Sequence, residues 1–449
     1  MGPPPGTPID RAGADDVLLL AVDRGGRVPM SIGALLVLDP AGRPGAEAVR
    51  STLLRRAGSV PRLGQRLVRA PIGAGRPVWT TVGADRCETL VDAVTAAPDP
   101  GSAADAVPRA LLDATAELVA TRLDLDRPLW RARLLLDEHR LVAGIAIVAH
   151  HVLADGMGGL AVLGALADDE RRDEPPPMPS AGSPRPPWGA LARDAWGRRA
   201  RALRVVPGAA RRMGAGAGEL GLGRPRLADR CSLLGRTGDR RRLEVASAEL
   251  GLVRDEARAH GASINDVVVA AVTGALVELL ARRGERIAEL VVSVPVSRRG
   301  QGEAAALGNS TGVVPVRVPA VADHATRLAA LVAERGRVRA PGRGGSAAVL
   351  TPVFRGLAAV GAFQLFVDHQ RLVHTFVTNV RGPEQRLRVA GAEVVGVVPV
   401  AVNPGNVAVS FDVLSYAGTL VVTLVCDPVL VPESAWLATR VAAGLTASD

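Results

Sequence analysis

The chain has 449 residues, more than one ordinary domain core holds, which indicates two lobes of similar size. Its formal charge is +9, every basic residue is an arginine, and only 2% of the residues are aromatic. Nucleic acid is bound by basic surfaces interleaved with aromatic side chains, so this composition argues against a nucleic-acid partner and favours phosphate-bearing small molecules or an anionic membrane face.

The N-terminal residues show no secretory signal, because residues 1–5 lack a basic cluster followed by an apolar run. No stretch of the chain reaches the roughly 18 unbroken apolar residues of a membrane-spanning helix. We therefore expect a cytoplasmic protein that does not cross a bilayer. The cysteines Cys87, Cys231 and Cys426 are too widely spaced for a disulfide framework or a thiolate zinc site, and they are predicted to be free.

Two apolar runs separated by a polar turn predict a β-hairpin in the first half of the chain. Residues 134–136 and 141–149 are the strands, and residues 137–140 are the turn. The second run is almost entirely apolar, which indicates a strand inside a sheet with both faces buried.

Residues 174–230 interrupt this pattern with proline clusters and a glycine-rich stretch, so we predict a linker there. Within the linker, an amphipathic helix is predicted, and its apolar side collects Trp188, Leu191, Ala192, Ala195, Trp196 and Leu203. The opposite side carries Arg193, Arg201 and Arg204. Such a helix can rest on a lipid surface or dock on its own protein, and both interpretations stay open.

The second half again mixes helices and strands. A long apolar helix is predicted over residues 264–281, with Ser263 as its N-cap and Asp266 as the reciprocal capping partner. The other predicted elements are a helix over 322–339, a closing helix from Pro432, and strands near Thr375 and over 290–296, 312–318, 392–400, 407–414 and 420–425.

These elements predict an α/β fold of two sandwich lobes with a cleft or tunnel between them. The predicted boundaries are an N-terminal lobe over 1–173, a linker over 174–230 and a C-terminal lobe over 231–449.

The best candidate for chemistry lies where the apolar strand ends, at His150, His151, Asp155 and Gly156. Neutral imidazole can accept a proton near physiological pH, and strand ends are where α/β folds place catalytic groups. Neighbouring strand residues point to opposite faces, so only one of the two histidines can face a cavity. We take His151 as the general base, Asp155 as the anchor of the loop, and Gly156 as a position of close backbone approach. The alternative is a pair of core histidines beside an ordinary Asp-Gly turn.

Other catalytic patterns lack their structural context. Residues 308–312 fit a Gly-x-Ser-x-Gly elbow but lead into a strand, and residues 216–221 fit a dinucleotide fingerprint but lie in the linker. The remaining histidines lack ligand spacing, so no metal site is expected; they are His139, His260, His324, His369 and His374.

Taken together, these motifs resemble the bacterial wax ester synthase/diacylglycerol acyltransferase family. The hallmark is His-His-x-x-x-Asp-Gly, here residues 150–156, which peptide-synthetase condensation domains share. Segments that match the family in order lie at residues 28–34, 124–130, 263–267, 294–299, 307–309, 378–383 and 415–418. The resemblance therefore spans nearly the whole chain.

The resemblance implies two lobes like those of chloramphenicol acetyltransferase, with the active site in a tunnel between them. It implies transfer of a fatty acyl group from acyl-CoA to diacylglycerol or a long-chain alcohol, with no acyl-enzyme, metal or prosthetic group. Peripheral contact with a membrane or lipid droplet stays open. By analogy with condensation domains, Arg299 would meet Asp155 across the lobes. Asn265 and Asp266 are predicted to cap the helix start and to support the structure between the lobes, because Asn and Asp at a helix start usually satisfy free backbone amides.

Two other functions remain open: a condensation-type acyltransferase that uses carrier-protein thioesters, and a non-catalytic lipid-binding relative. The chain departs from the family in the N-terminal lobe, where Ser31 replaces a usual histidine and residues 87–90 replace a polar pattern; the usual aromatic near Leu18 and Leu19 is also absent. Since the resemblance places substrate contacts in that lobe, the acceptor and the acyl chain length are not predicted.

Overall fold

The computed structural model describes residues 9–96, 107–168, 176, 181–203, 227–297, 311–338, 354, 356–358, 361–402 and 405–446. The helices described are α1 (Ala14–Gly25), α2 (Ala46–Ala57), α3 (Arg109–Ala120), α4 (Gly156–Leu166), α5 (Trp188–Leu203), α6 (Leu250–Ala259), α7 (Ile264–Arg282), α8 (His324–Val338), α9 (Phe363–His369) and α10 (Ser434–Leu445). The strands described are β1 (Ser31–Leu38), β2 (Gln65–Val68), β3 (Val78–Thr81), β4 (Val91–Thr95), β5 (Trp130–Leu136), β6 (Val142–His150), β7 (Arg242–Glu249), β8 (Glu289–Ser297), β9 (Thr311–Pro319), β10 (Thr375–Arg381), β11 (Arg388–Val389), β12 (Ala392–Ala401), β13 (Val409–Tyr416) and β14 (Thr419–Cys426).

The first lobe is built on a sheet with the strand order β11-β12-β1-β6-β5-β4. Strand β6 lies inside this sheet and pairs antiparallel with both β1 and β5. On one face, Ile145 and Ile147 join a core that includes residues of α2 and α4. On the other face, Ala146 and Val148 join a second core with residues of α3. The predicted hairpin and its doubly buried second strand are confirmed, and burial on both faces explains why β6 is apolar throughout.

The second lobe is built on a sheet with the order β7-β14-β13-β10-β8-β9. Helix α7 fills the core of this lobe, and Ser263 and Asp266 form the predicted capping box at its N-terminus. Of the described helices, α7 is the one long and apolar enough to span a membrane, and 72% of its apolar window is buried in the lobe. Because protein surrounds most of this helix, its apolar residues are not confined to one face.

One strand breaks the correspondence between chain order and lobes. Strand β12 follows the second-lobe strand β10 in the chain, yet it pairs antiparallel with β1 of the first sheet, where Ile32 faces Ala401. The predicted C-terminal lobe over 231–449 is therefore wrong for the segment that includes β11 and β12. The chain crosses to the first sheet because the apolar face of β12 (Val398, Val400) packs into a core shared by both lobes.

Part of the predicted linker docks on the first lobe. Leu191 of α5 is fully buried against Ala74 and Val78, and Asp194 pairs with Arg11 at 2.6 Å. The two tryptophans of the helix, Trp188 and Trp196, stay exposed. Both interpretations of the amphipathic helix therefore keep support, since its middle docks on the protein and its aromatic side chains face outward.

Candidate active site

The two adjacent histidines have different environments. His150 is the last residue of β6 and is buried, whereas His151 begins the turn into α4 and is half-buried. Different environments for the two residues were predicted from strand alternation, and the structure shows this difference, although His151 lies just past the end of the strand. Backbone bonds fix both residues, because the His150 amide donates to Leu129 O at 2.9 Å and the His151 amide to Met30 O at 2.7 Å.

The ring of His150 is held by the loop that follows it. Its Nδ1 accepts a hydrogen bond of 3.0 Å from the buried Val152 amide, so the proton of the neutral ring is on Nε2. Nε2 lies 3.9 Å from Oδ1 of Asp23. Burial lowers the pKa of His150 to about 4, despite the opposing effect of the Asp23 carboxylate. His150 is therefore neutral at physiological pH and holds the loop conformation.

Asp155 is the N-cap of α4. Its buried carboxylate accepts a hydrogen bond from the Gly158 amide at 3.0 Å, and such a cap satisfies one of the free amides of the first helical turn. The turn before it is packed tightly, since Val152, Leu153 and Ala154 are all buried. These contacts are those of a residue that shapes the loop after the histidines.

Gly156 lies where the first lobe meets the second. A Cβ atom at this position would approach Cγ2 of Val380 on β10 to 3.0 Å, closer than most carbon contacts. The glycine therefore allows the N-terminus of α4 to lie directly against a strand of the other lobe. This contact places the histidine turn at the junction of the two lobes.

The predicted supporting residues lie within the second lobe. Asn265 accepts a long hydrogen bond of 3.5 Å from the Asn379 side chain of β10, and Asp266 pairs with Arg335 of α8 besides capping α7. These contacts join α7 to β10 and to α8, which all belong to the second lobe. Arg299 lies outside the described residues, so its pairing with Asp155 stays a prediction.

Sequence reasoning missed Asp23 and did not foresee the position of Ser31. Asp23 is a buried residue of α1 that accepts from the Met30 amide at 3.1 Å and pairs with Arg122 at 3.3 Å. Ser31 faces His150 across β1 and β6 and is also buried. The sequence offered one indication that Asp23 is buried: its carboxylate lies on the apolar side of helix α1. Ser31 was noted only as a departure from the family.

Within the ranges that the structure describes, no group of three or more His, Cys, Asp or Glu side chains is placed to hold a metal ion. His139 is exposed in the hairpin turn, and His374 is buried between Asp229 O and the Val291 amide. The three cysteines are free, as predicted, and burial raises the pKa of the Cys87 thiol to about 11.

Two family domains and a curated relative match this chain in sequence. The wax ester synthase/diacylglycerol acyltransferase catalytic domain matches residues 13–268, and the WS/DGAT C-terminal domain matches residues 307–447. The probable diacyglycerol O-acyltransferase tgs1 of Mycobacterium tuberculosis is 29% identical over 446 residues, which cover 94% of this chain and 92% of that protein.

Two solved structures share the fold. The wax ester synthase/diacylglycerol acyltransferase from Marinobacter aquaeolei VT8 superposes with a TM-score of 0.68 at 21% identity, covering 97% of this chain and 98% of that one. A mutant of the starter condensation domain of rhizomide synthetase RzmA, in complex with C8-CoA, gives a TM-score of 0.60 at 13% identity over 98% and 97% of the two chains. These likenesses confirm the predicted fold class.

Proposed function

The chain belongs to the wax ester synthase/diacylglycerol acyltransferase family and is an acyltransferase, and on that premise we propose that His151 is its general base. The observation that supports His151 is the contrast between the two histidines. The Nδ1 atom of His150 is engaged by the Val152 amide and its ring is buried, whereas His151 is half-buried at the start of the turn. A base must reach the proton that it removes, and His151 satisfies that requirement better.

In the proposed reaction, His151 accepts the proton of the acceptor hydroxyl while the hydroxyl oxygen attacks the thioester carbonyl carbon. The carbon–sulfur bond breaks, the thiolate of coenzyme A leaves, and the imidazolium returns the proton to it. The products are an ester and free coenzyme A, with no net change in oxidation state. Because proton and electrons balance, the reaction as proposed needs no resident cofactor, and acyl-CoA is a co-substrate.

For the acceptor, we propose diacylglycerol or a long-chain alcohol. Support comes from the family domains and from the Mycobacterium tuberculosis relative, which is named a probable diacylglycerol O-acyltransferase. For the donor, the related rhizomide synthetase domain was solved with C8-CoA. The net positive charge of this chain suits the phosphates of coenzyme A.

The test is release of the free thiol of coenzyme A from palmitoyl-CoA, with hexadecanol, dioleoylglycerol or no acceptor. His151→Ala should lower acceptor-dependent turnover about 100-fold to 10,000-fold, the usual contribution of a general base. The matched control is His139→Ala, because His139 is exposed at the opposite end of the same hairpin. It should keep full activity.

Other results would redirect the proposal. Full turnover by a folded His151→Ala variant would show that His151 is not the base. Transfer from a carrier-protein thioester but not from palmitoyl-CoA would favour the condensation-type donor. Lipid binding without transfer from either donor would favour the non-catalytic relative.

We also propose that α5 rests on an anionic lipid surface. Trp188 and Trp196 are 59% and 62% exposed, and Ile72 is fully exposed at the tip of the adjoining loop. Trp188 Nε1 donates to Ile72 O at 3.4 Å, so these two exposed residues lie side by side. The same helix carries exposed arginines, and the guanidinium of Arg199 lies over the Trp196 ring at 4.7 Å; the other exposed arginines are Arg193, Arg198 and Arg201. Aromatic side chains flanked by arginine suit the interface of an anionic membrane.

The test is cosedimentation of the protein with vesicles of pure phosphatidylcholine or with added phosphatidylglycerol. We expect binding to the anionic vesicles that falls with salt, and weaker binding when Trp188 and Trp196 are both alanine. Val429→Ala is the control, since Val429 is exposed but lies on the second lobe. Unchanged binding of the double-tryptophan variant would refute the assignment of this surface.

A further inference from the structure

Two side chains of β13 fasten the crossover strand β12 to the second sheet. Near the start of β12, Tyr416 donates to Val394 O at 2.8 Å and accepts from the Leu387 amide at 2.8 Å. At the end of β12, Oδ2 of Asp412 accepts a hydrogen bond of 2.6 Å from the Ala401 amide. The strand that crosses between the lobes is therefore tied at both ends.

The Asp412 carboxyl is buried among uncharged groups. Along β13, Phe411 and Val413 face the core of the second lobe, so Asp412 points the other way, toward the first lobe. The neighbouring side chains across β10 and β14 are Thr378 and Thr423, both neutral. Thr378 donates to Oδ1 of Asp412 at 2.8 Å. The carboxyl is thus bound by two neutral donors.

A short path of main-chain contacts leads from Asp412 to the histidine strand. Ala401, which Asp412 holds, faces Ile32 in the first sheet, and the next amide, of Val402, donates to Ser31 O at 2.9 Å. Ser31 in turn faces His150 across β1 and β6. A displacement at the end of β12 therefore reaches the strand that carries both histidines.

We propose that Asp412 is a positioning residue that fixes the end of β12 and, through β1, the position of the His150–His151 turn at the junction of the lobes. This inference rests on the proposed role of His151. Asp412 acts through the backbone of two strands and does not itself touch the reacting groups. Tyr416 ties the far end of β12, where Val394 faces Leu38 at the opposite end of β1 from Ser31.

The chemistry of the carboxyl makes the proposal measurable. Burial raises the pKa of Asp412 to about 7, because neither the Thr378 hydroxyl nor the Ala401 amide compensates a full charge. Among the described residues, no charged side chain contributes to this shift. Above that pH, the folded protein carries a buried charge at the end of β12, which favours the entry of water at this position. A rise in pH should then lower turnover through Asp412.

The experiment compares kcat from about pH 6 to about pH 9 for the wild type, Asp412→Asn, Asp412→Ala and Tyr416→Phe. Asparagine keeps an oxygen for the Ala401 amide and cannot ionise. We expect wild-type kcat to fall above about pH 7, and we expect Asp412→Asn to keep its kcat over that range. Asp412→Ala should lose about tenfold to 100-fold in kcat at every pH, the scale of a ~1 Å misplacement. Tyr416→Phe should lower the melting temperature and keep the wild-type pH profile.

The outcomes separate this inference from the proposed function. If the wild type transfers no acyl group, the proposed function fails, and melting still tests the buried carboxyl. The wild type should lose stability as the pH rises toward about 7 and level off above it, whereas Asp412→Asn should not show this loss. If Asp412→Ala does not fold, the Asp412→Asn profile decides. An asparagine variant with the wild-type pH profile in both kcat and melting would overturn the role of Asp412, as would an alanine variant with wild-type kcat.

Discussion

Replacing His150 by asparagine tests the assignment of different roles to the two histidines. In the folded protein, burial lowers the pKa of His150 from 6.5 to about 4. An unfolded chain regains the ordinary value, so between about pH 6.5 and pH 4 the unfolded state binds a proton that the folded state does not. The stability that the neutral ring contributes is therefore present above about pH 6.5 and is lost as the pH falls.

The size of the effect follows from the same values. One pKa unit corresponds to about 1.4 kcal/mol, and pH 5 lies about 1.5 pH units below the ordinary pKa of histidine. The wild type should thus lose about 2 kcal/mol of unfolding free energy through His150 between pH 8 and pH 5. In His150→Asn, the side-chain oxygen takes the place of Nδ1 as acceptor for the Val152 amide, and no ring remains to titrate.

The assay is urea unfolding at pH 8 and pH 5 for the wild type, His150→Asn and His139→Asn. Other groups also titrate in this range, so the informative quantity is the difference between variants. We expect His150→Asn to lose about 2 kcal/mol less than the wild type, and His139→Asn to behave as the wild type. Equal losses in all three proteins would refute the buried neutral ring. Turnover of His150→Asn as low as that of His151→Ala would refute the division of roles.

Two further substitutions test the turn after the histidines. Asp155→Ala should lower the unfolding free energy by roughly 1–3 kcal/mol, because the helix loses its N-cap and the Gly158 amide loses its acceptor. Asp155→Asn keeps an acceptor for the Gly158 amide, so its melting temperature should be closer to that of the wild type. Low activity of this stable variant would show that turnover requires the negative charge of Asp155. Gly156→Ala should lower turnover by crowding Val380, and Val380→Ala in the same chain should restore it. Activity of the single variant equal to the wild type would show that the lobes have room at this contact.

The sequence predicted those parts of the fold that depend on local patterns. The β5–β6 hairpin was predicted from two apolar runs around a polar turn, and the capping box of α7 from Ser263 and Asp266. A different environment for His150 and His151 was predicted from strand alternation, and the structure shows it with His151 just past the strand end. In each case the signal lies within a few residues of the feature that it predicts.

The missed features depend on pairing between distant segments. Strand β12 has the composition of any buried strand, and no residue in it specifies β1 as its partner. Asp23 contacts the histidine strand across more than a hundred residues of chain. A stronger signal was present for Asp412, since a carboxylate in the apolar run of β13 must find partners or stay protonated.

The crossover strand also explains why the histidine turn lies at the junction of the lobes. β12 pairs with β1, and β1 pairs with β6, the strand that ends in His150. In the chain, β12 is preceded by β10 and followed by β13, which both belong to the second sheet. The histidine strand is therefore attached, through β1, to a segment connected at both ends to the second lobe. At the same junction, the N-terminus of α4 lies against Val380 of β10. Relative movement of the lobes would strain these sheet pairings, and a loss of ladder hydrogen bonds in a buried sheet is costly. The turn is therefore held from both sides, which is the condition that a base placed between two lobes requires.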